Sequence, residues 1–169
     1  MSHYITTHDK SGKSVFSKTV PSEPHPMPIP AGNLQLVYTS HTFRPDLSKE
    51  ADIEQFAHDR ANGLGNAVTP PSGVAAALVT IEPNATGIWH RTTSVDTIVM
   101  VEGVLELHLD GGEVRTLKAG DTCVQRATMH QWKNVTPNYG SAKMAAFALP
   151  IIEPFVVAGR TLQTDFRFE

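Results

Sequence analysis

The sequence predicts an all-β protein: a single antiparallel sandwich or barrel with one short helix and a proline-rich N-terminal arm. From Val74 onward, short β-prone segments follow one another and are separated by turn residues. Asp110-Gly111-Gly112 lies between two of these segments and is typical of a tight hairpin. A helical pattern occurs only over residues 49–61. The length of 169 residues fits one domain.

The composition excludes several classes of protein. Hydrophobic residues make up 40% of the chain, which is typical of a globular domain. The net charge is −3 and there is no basic block, so we expect no nucleic-acid partner. No apolar run reaches 18 residues, so we expect no membrane partner. The single cysteine, Cys123, cannot form a disulfide within the chain, and we expect a cytoplasmic protein.

Residues 1–45 are predicted to form a hairpin followed by an arm. The β-prone segments His3–Thr7 and Ser14–Val20 flank a turn at residues 9–12. Five prolines within residues 21–32 favour an extended path and exclude a central strand. We expect this region to pack on the barrel or on a partner subunit of a homodimer. Residues 46–169 would then form the barrel, with its core motifs at 87–134.

One strand and the helix come next. Leu34–Ser40 alternates apolar and polar residues, as a half-buried strand does. In the helix predicted over Lys49–Ala61, Ser48 is a candidate N-cap and Asn62-Gly63 a stop signal. Ile53, Phe56 and Ala57 form its apolar stripe.

The rest of the chain is predicted to be strands joined by short turns, and the tail 151–169 adds short β-prone pieces. The predicted strands are Val74–Ile81, Thr93–Glu102, Val104–Leu109, Glu113–Leu117, Asp121–Gln125, His130–Val135 and Lys143–Leu149.

Chemically active residue types recur at alternate positions after Gly87. Residues two apart on a strand share a face, so this spacing predicts a polar wall that becomes apolar further along. The alternating residues are His90, Thr92, Ser94, Asp96, Ile98 and Met100. A second polar run ends at His130. If both runs face one cavity, then His90, Asp96 and His130 converge there as the candidate catalytic residues.

The same residues resemble the two conserved motifs of the cupin superfamily over about residues 72–150. The resemblance is carried by Gly87, His90, Asp96 and Gly103 in the first motif and by Gly120, His130 and Asn134 in the second. Thr92 stands where the family usually has a second histidine, and Asp96 where it has glutamate. Gln125 and Ala127 replace the proline and glycine of the second motif.

The chain as a whole is also similar to small single-cupin proteins of fungi and bacteria, several of them encoded among natural-product pathway genes. The resemblance implies a jelly-roll barrel that often dimerises. It also implies a divalent metal held by three histidines and one glutamate.

Two kinds of chemistry are open to these residues. Two histidines and one carboxylate suit Fe(II) and could also hold Zn²⁺, Mn²⁺ or Ni²⁺, with His90, Asp96 and His130 as ligands. Without a metal, the same side chains can move protons, since histidine titrates near neutrality. A nearby carboxylate is expected to raise the histidine pKa.

Other residues near the motifs are predicted to contact the substrate. Thr92 and Ser94 would offer hydroxyl groups, and Ile98 and Met100 would form the apolar floor of the cavity. Arg126 would bind an anionic group of the substrate, and Trp132 would line one side of the cavity. An apolar floor under a few polar groups favours a hydrophobic small molecule, such as a polyketide-like acid. We therefore expect a lyase or isomerase acting on such an acid in secondary metabolism. An Fe(II)-dependent dioxygenase and a non-catalytic ligand-binding cupin are the alternatives.

Overall fold

The computed structural model describes residues 2–65 and 67–168, and these form two large packed β-sheets, two two-stranded sheets and one α-helix. Short 3₁₀ turns occur at Ser48–Glu50 and Pro137–Tyr139. The elements in chain order are β1 (Thr6–His8), β2 (Ser14–Phe16), β3 (Met27–Ile29), β4 (Gly32–Ser40), α1 (Ala51–Asn62), β5 (Val74–Ile81), β6 (Trp89–Arg91), β7 (Ser94–Glu102), β8 (Val104–Leu109), β9 (Val114–Lys118), β10 (Thr122–Arg126), β11 (His130–Asn134), β12 (Ala142–Pro150), β13 (Phe155–Val157), β14 (Arg160–Leu162) and β15 (Asp165–Arg167).

The two sheets are antiparallel and have the connectivity of a jelly roll. One sheet has six strands in the order β10-β7-β12-β5-β4-β3, and the other has five in the order β15-β6-β11-β8-β9. Among the described residues the sheets share no strand, so of the predicted sandwich or barrel the jelly roll has the form of a sandwich. The all-β jelly-roll fold with one helix is confirmed.

The chain passes between the sheets at points where strand pairing stops. Gly103 joins β7 to β8 with a φ of +76°. A Cβ atom there would lie 2.7 Å from the carbonyl oxygen of Ser141, so only glycine fits this crossing. A second crossing at Thr92-Thr93 separates β6 from β7. The polar wall predicted from alternation over residues 90–100 is therefore divided between the two sheets, because the alternation persists across a change of sheet.

The N-terminal region packs against the chain's own sandwich. Strands β1 and β2 form the predicted hairpin, and the Asp9 carboxylate accepts hydrogen bonds from the backbone N–H groups of Ser11 and Lys13 in its turn. The proline-rich arm contributes β3, which pairs with β4 at the edge of the six-stranded sheet. An edge position suits this segment because proline lacks a donor for a second ladder.

The helix α1 covers the end of the six-stranded sheet. Phe56 is fully buried, and its ring lies 5.8 Å from the ring of Tyr38 on β4. The N–H of Gly63 bonds to the carbonyl of Asp59 and ends the helix as predicted. Ser48 does not cap it: the helix begins at Ala51, and Glu50 is its N-cap residue, without a side-chain cap.

The main core lies between the two sheets. It includes Ile98 and Met100 from one sheet and Leu105 and Trp132 from the other, all buried. Asn134 connects three backbone segments at one end of the core, because its side-chain amide donates hydrogen bonds to the carbonyls of Ile81, Glu82 and Gly140. No helix in the described part of the chain has the length and apolar character needed to cross a membrane.

Candidate functional site

A cavity of about 640 Å³ opens between the two sheets and contains the predicted site residues His90, Asp96 and His130. Most of its lining is apolar and comes from β5, β7 and β12 of the six-stranded sheet and β11 of the five-stranded sheet. The edge of the sandwich also lines it, through the arm at residues 27–31, the loop after α1, and Phe166 and Phe168. The three predicted catalytic residues therefore converge on one cavity.

The five-stranded sheet supplies a pair of adjacent histidines. His90 on β6 and His130 on β11 are directly paired in the ladder, and their ring centroids lie 4.2 Å apart. His90 Nδ1 lies 3.1 Å from the carbonyl oxygen of Ile88, and His130 Nδ1 lies 2.9 Å from that of Thr128. A carbonyl can only accept, so each Nδ1 carries the proton and each neutral ring keeps its lone pair on Nε2.

The six-stranded sheet supplies a carboxyl group. Asp96 on β7 accepts a hydrogen bond of 3.3 Å from the Thr92 hydroxyl, which also lies 2.8 Å from the Ser94 hydroxyl. Gln125 on β10 is directly paired with Asp96 in the ladder and also lines the cavity. Asp96 Oδ1 and Gln125 Oε1 are both buried and have no hydrogen-bond partner among the described residues. The cavity thus has a basic wall on one sheet and an acidic wall on the other.

Burial shifts the pKa values of these groups away from their ordinary range. It lowers the pKa of His130 to about 3, and the charge of a protonated His90 acts in the same direction. Burial also lowers the pKa of His90, against the opposing effects of its bond to Ile88 and of the Asp96 carboxylate. The carboxylate does raise the histidine pKa as predicted, but desolvation outweighs it, so the net shift is in the opposite direction.

The carboxyl group of Asp96 is shifted the other way. Burial raises its pKa, although hydrogen bonds from Ser94 and Thr92 oppose that effect. Its protonated form is therefore favoured relative to that of a free aspartic acid, while both histidines favour the neutral form. Both shifts favour uncharged side chains, which leaves the imidazoles able to accept a proton and the carboxyl group able to donate one.

The donor set only partly fits a metal ion. The two imidazoles are suited to ligation, because a fixed Nδ1–H leaves Nε2 free, as in many metal sites. Among residues 2–65 and 67–168, however, no group of three or more His, Cys, Asp or Glu side chains is placed to hold a metal. Asp96 lies on the opposite sheet, and Thr92 supplies a hydroxyl where a third imidazole would be needed. The residues as placed do not form the three-ligand site predicted from the sequence.

The six predicted substrate contacts divide into two groups. Thr92, Ile98 and Trp132 line the cavity. Ser94, Met100 and Arg126 are not among the residues that line it. Ser94 and Met100 are buried beside it, and Ser94 contacts Thr92 instead of the cavity. Arg126 ends β10 on the exposed surface, so its predicted role as an anion clamp finds no support in its position.

Sequence reasoning missed several residues of the site. Gln125 stands where the cupin motif has proline, and only its ladder pairing with Asp96 reveals its position. Phe166 on β15 is paired with His90 on β6, and their rings stack with centroids 5.8 Å apart and planes 10° apart. The alternation of Phe166 and Phe168 with charged residues was the available signal, but it did not indicate which strand β15 joins.

Comparisons with known proteins agree with this fold. Residues 77–142 match the family described as Cupin domain, and that stretch contains His90, Asp96 and His130. The chain is 34% identical over 163 residues to Oryzines biosynthesis cluster protein J of Aspergillus oryzae, covering 94% of this chain and 87% of that protein.

Two further similarities extend the comparison. The chain is 37% identical over 139 residues to a cupin-domain-containing oxidoreductase of Aspergillus ruber, covering 80% of this chain and 64% of that protein. A solved RmlC-like cupin of Shewanella frigidimarina has a TM-score of 0.50 at 17% identity, covering 79% of this chain and 90% of that one. The structural likeness concerns the fold alone.

Proposed function

The chain belongs to the cupin superfamily, and we propose that it is a small-molecule enzyme of secondary metabolism that works by proton transfer. A relative that covers most of this chain is named for a biosynthesis cluster, the oryzines cluster of Aspergillus oryzae, which supports a role in secondary metabolism. The reaction class we favour is a lyase or isomerase.

The observation that carries this proposal is the pairing of His90 and His130 on one wall of the cavity with Asp96 on the other. A neutral imidazole takes the proton from a carbon next to a carbonyl group through Nε2. Asp96, whose pKa is raised by burial, donates a proton to the carbonyl oxygen. The product of these two transfers is an enol, a common intermediate in isomerisation and dehydration.

The cavity supports a hydrophobic organic acid or a polyketide-like molecule as the substrate class. Its volume of about 640 Å³ lies within the usual range for ligand pockets. Its lining is mainly apolar, and the few polar side chains are grouped at the two facing walls. A free sugar would leave many hydroxyls unpaired in such a cavity, which is unfavourable.

An Fe(II)-dependent dioxygenase is the second candidate, supported by the name oxidoreductase given to the Aspergillus ruber relative. Such an enzyme would use His90 and His130 as ligands and would need a third ligand to move toward them. A non-catalytic ligand-binding cupin is the third candidate, supported by the cavity alone.

Deuterium exchange distinguishes these candidates. The purified protein is incubated in D₂O with a panel of aromatic and polyketide-like keto acids, and ¹H NMR follows the loss of signal next to the carbonyl group. We expect exchange, isomerisation or CO₂ release with the wild type and its loss in His130→Ala. Consumption of O₂ that depends on added Fe(II), without exchange, would instead favour the dioxygenase. Saturable binding of a panel compound with neither reaction would favour the ligand-binding protein.

A further inference from the structure

The strand β15 brings two aromatic side chains to the cavity. Its register with β6 pairs Phe166 with His90, and the hydroxyl of Thr164, just before the strand, accepts a hydrogen bond of 3.1 Å from the backbone N–H of Thr93. Phe166 and Phe168 both line the cavity. This strand lies outside residues 77–142, the part of the chain that matches the cupin family.

Both aromatic rings that β15 brings to the cavity are accessible to solvent. Phe166 is 39% exposed and Phe168 is 75% exposed. Each ring keeps an apolar face available, and covering such a face with a ligand is favourable. The unpartnered faces therefore lie where an entering ligand would pass.

The rings around the histidine pair continue inward from Phe166. The planes of Phe166 and His90 are nearly parallel, at 10°, and the ring of Trp132 lies edge-on to His130 with centroids 6.2 Å apart. Aromatic rings prefer offset-stacked or edge-to-face neighbours, and a flat ligand ring can satisfy both. A row of aromatic rings thus runs from the mouth of the cavity to the basic wall.

We propose that Phe166 and Phe168 are specificity-determining residues that select ligands carrying a flat aromatic ring. This inference rests on the proposed function only in taking the cavity as the substrate site. The stacking faces of β15 hold the ring near the mouth, while the polar part of the ligand reaches His90 and Asp96. A ligand with a flexible aliphatic chain fills the same space but gains no stacking.

Binding of two carboxylic acids tests the proposal. Calorimetry compares 2-naphthoic acid, which is flat and aromatic, with decanoic acid, which is flexible and aliphatic. Wild type should bind 2-naphthoic acid more tightly. Phe166→Leu keeps an apolar side chain but removes the ring, and should weaken 2-naphthoic acid binding by about three- to tenfold. Decanoic acid should change by less than about twofold, because the apolar contact remains.

Two further variants make the test specific. Phe166→Tyr keeps the ring and should retain the preference. Phe43→Leu changes a ring that is 80% exposed and does not line the cavity, so it should leave both affinities unchanged. The proposal is overturned if wild type does not prefer 2-naphthoic acid, or if Phe166→Leu, checked to be folded by circular dichroism, weakens both acids equally or neither.

This measurement needs no turnover. A wild-type protein that catalyses deuterium exchange but does not prefer 2-naphthoic acid would overturn only the role of β15. An aromatic preference without any exchange would support the role of β15 and count against the proton-transfer function.

Discussion

The rings of His90 and His130 lie with their centroids 4.2 Å apart because the two residues are direct partners in the ladder between β6 and β11. At this separation, protonation of one ring disfavours protonation of the other. The pair therefore titrates as a unit that carries at most one positive charge over most of the pH range. Loss of either ring relieves this coupling and leaves a single imidazole on this wall of the cavity.

His130→Ala should reduce the rate of deuterium exchange by about 10²–10⁴-fold, because a proton carrier is lost. Thr92→Ala should reduce it by about tenfold, because it removes a hydroxyl that hydrogen-bonds to Asp96 and Ser94 but no proton carrier. His108→Ala is the matched control, since His108 pairs with Glu106 on β8 and does not line the cavity. Equal losses in His130→Ala and Thr92→Ala would contradict the role assigned to His130.

Acidification should destabilise the protein through His130. Its pKa is about 3 in the folded state against an ordinary value of 6.5, so the unfolded chain binds the extra proton first as the pH falls. Stability contributed by the neutral ring is present above pH 6.5 and is lost progressively between pH 6.5 and about 3. Asp96 acts in the opposite direction above its ordinary value of 3.8, because its pKa is raised on folding.

The comparison that isolates His130 is urea unfolding of wild type and His130→Gln at pH 7 and pH 5. Wild type should lose more free energy of unfolding between the two pH values than the variant, by up to about 1.4 kcal/mol per pH unit. His25→Gln removes an exposed imidazole and serves as the control. An identical pH dependence in wild type and His130→Gln would show that the ring is not held neutral by burial.

Sequence patterns predicted the parts of the fold that depend on local alternation. The bounds of β5 and β8 agree with the prediction, because each strand alternates buried and half-buried residues between clear turns. The convergence of His90 with His130 also followed from alternation. The position of Ala127 at a φ of +52°, where the cupin motif has glycine, shows that the turn before β11 persists despite the substitution.

Other parts of the site depend on which strands become neighbours, and a sequence does not state this. The division of the polar wall between β6 and β7 was missed, because the alternation continues through Thr92 while the chain passes from one sheet to the other. Gln125 and Phe166 reach the site through cross-strand pairing with Asp96 and His90. The histidine pKa was predicted in the wrong direction because the depth of burial is a property of the assembled sandwich.

A homodimer remains our expectation, and the outer face of the six-stranded sheet offers a surface for it. Val124 on β10, Thr97 on β7 and Phe147 on β12 are successive ladder partners, so their side chains share that face. Val124 and Phe147 are 58% and 43% exposed. Phe147→Asp should therefore shift the mass measured by light scattering from dimer toward monomer.

Two variants complete the dimer test. Phe43→Asp places the same charge on an exposed loop residue and should leave the dimer intact. Deletion of residues 1–20 removes the β1–β2 hairpin and tests the other interface predicted from the sequence, in which the N-terminal region packs on the partner. A monomeric wild-type protein would contradict both versions.

Whether the protein binds a divalent metal can be tested by placing at residue 92 the histidine that the cupin motif usually has there. Thr92 lines the cavity, and His90 and His130 already have Nδ1 fixed by backbone carbonyls. Thr92→His therefore offers a third ring to a pair that lacks only another nitrogen ligand. Calorimetry with Ni(II) should show weak binding to wild type and markedly tighter binding to the variant, and Thr92→Gln should resemble wild type.

Tight binding to wild type would mean that Asp96 or another donor moves to complete the site, and the dioxygenase would become the better candidate. If Thr92→His also binds weakly, residue 92 does not face the histidine pair closely enough to share a ligand with it.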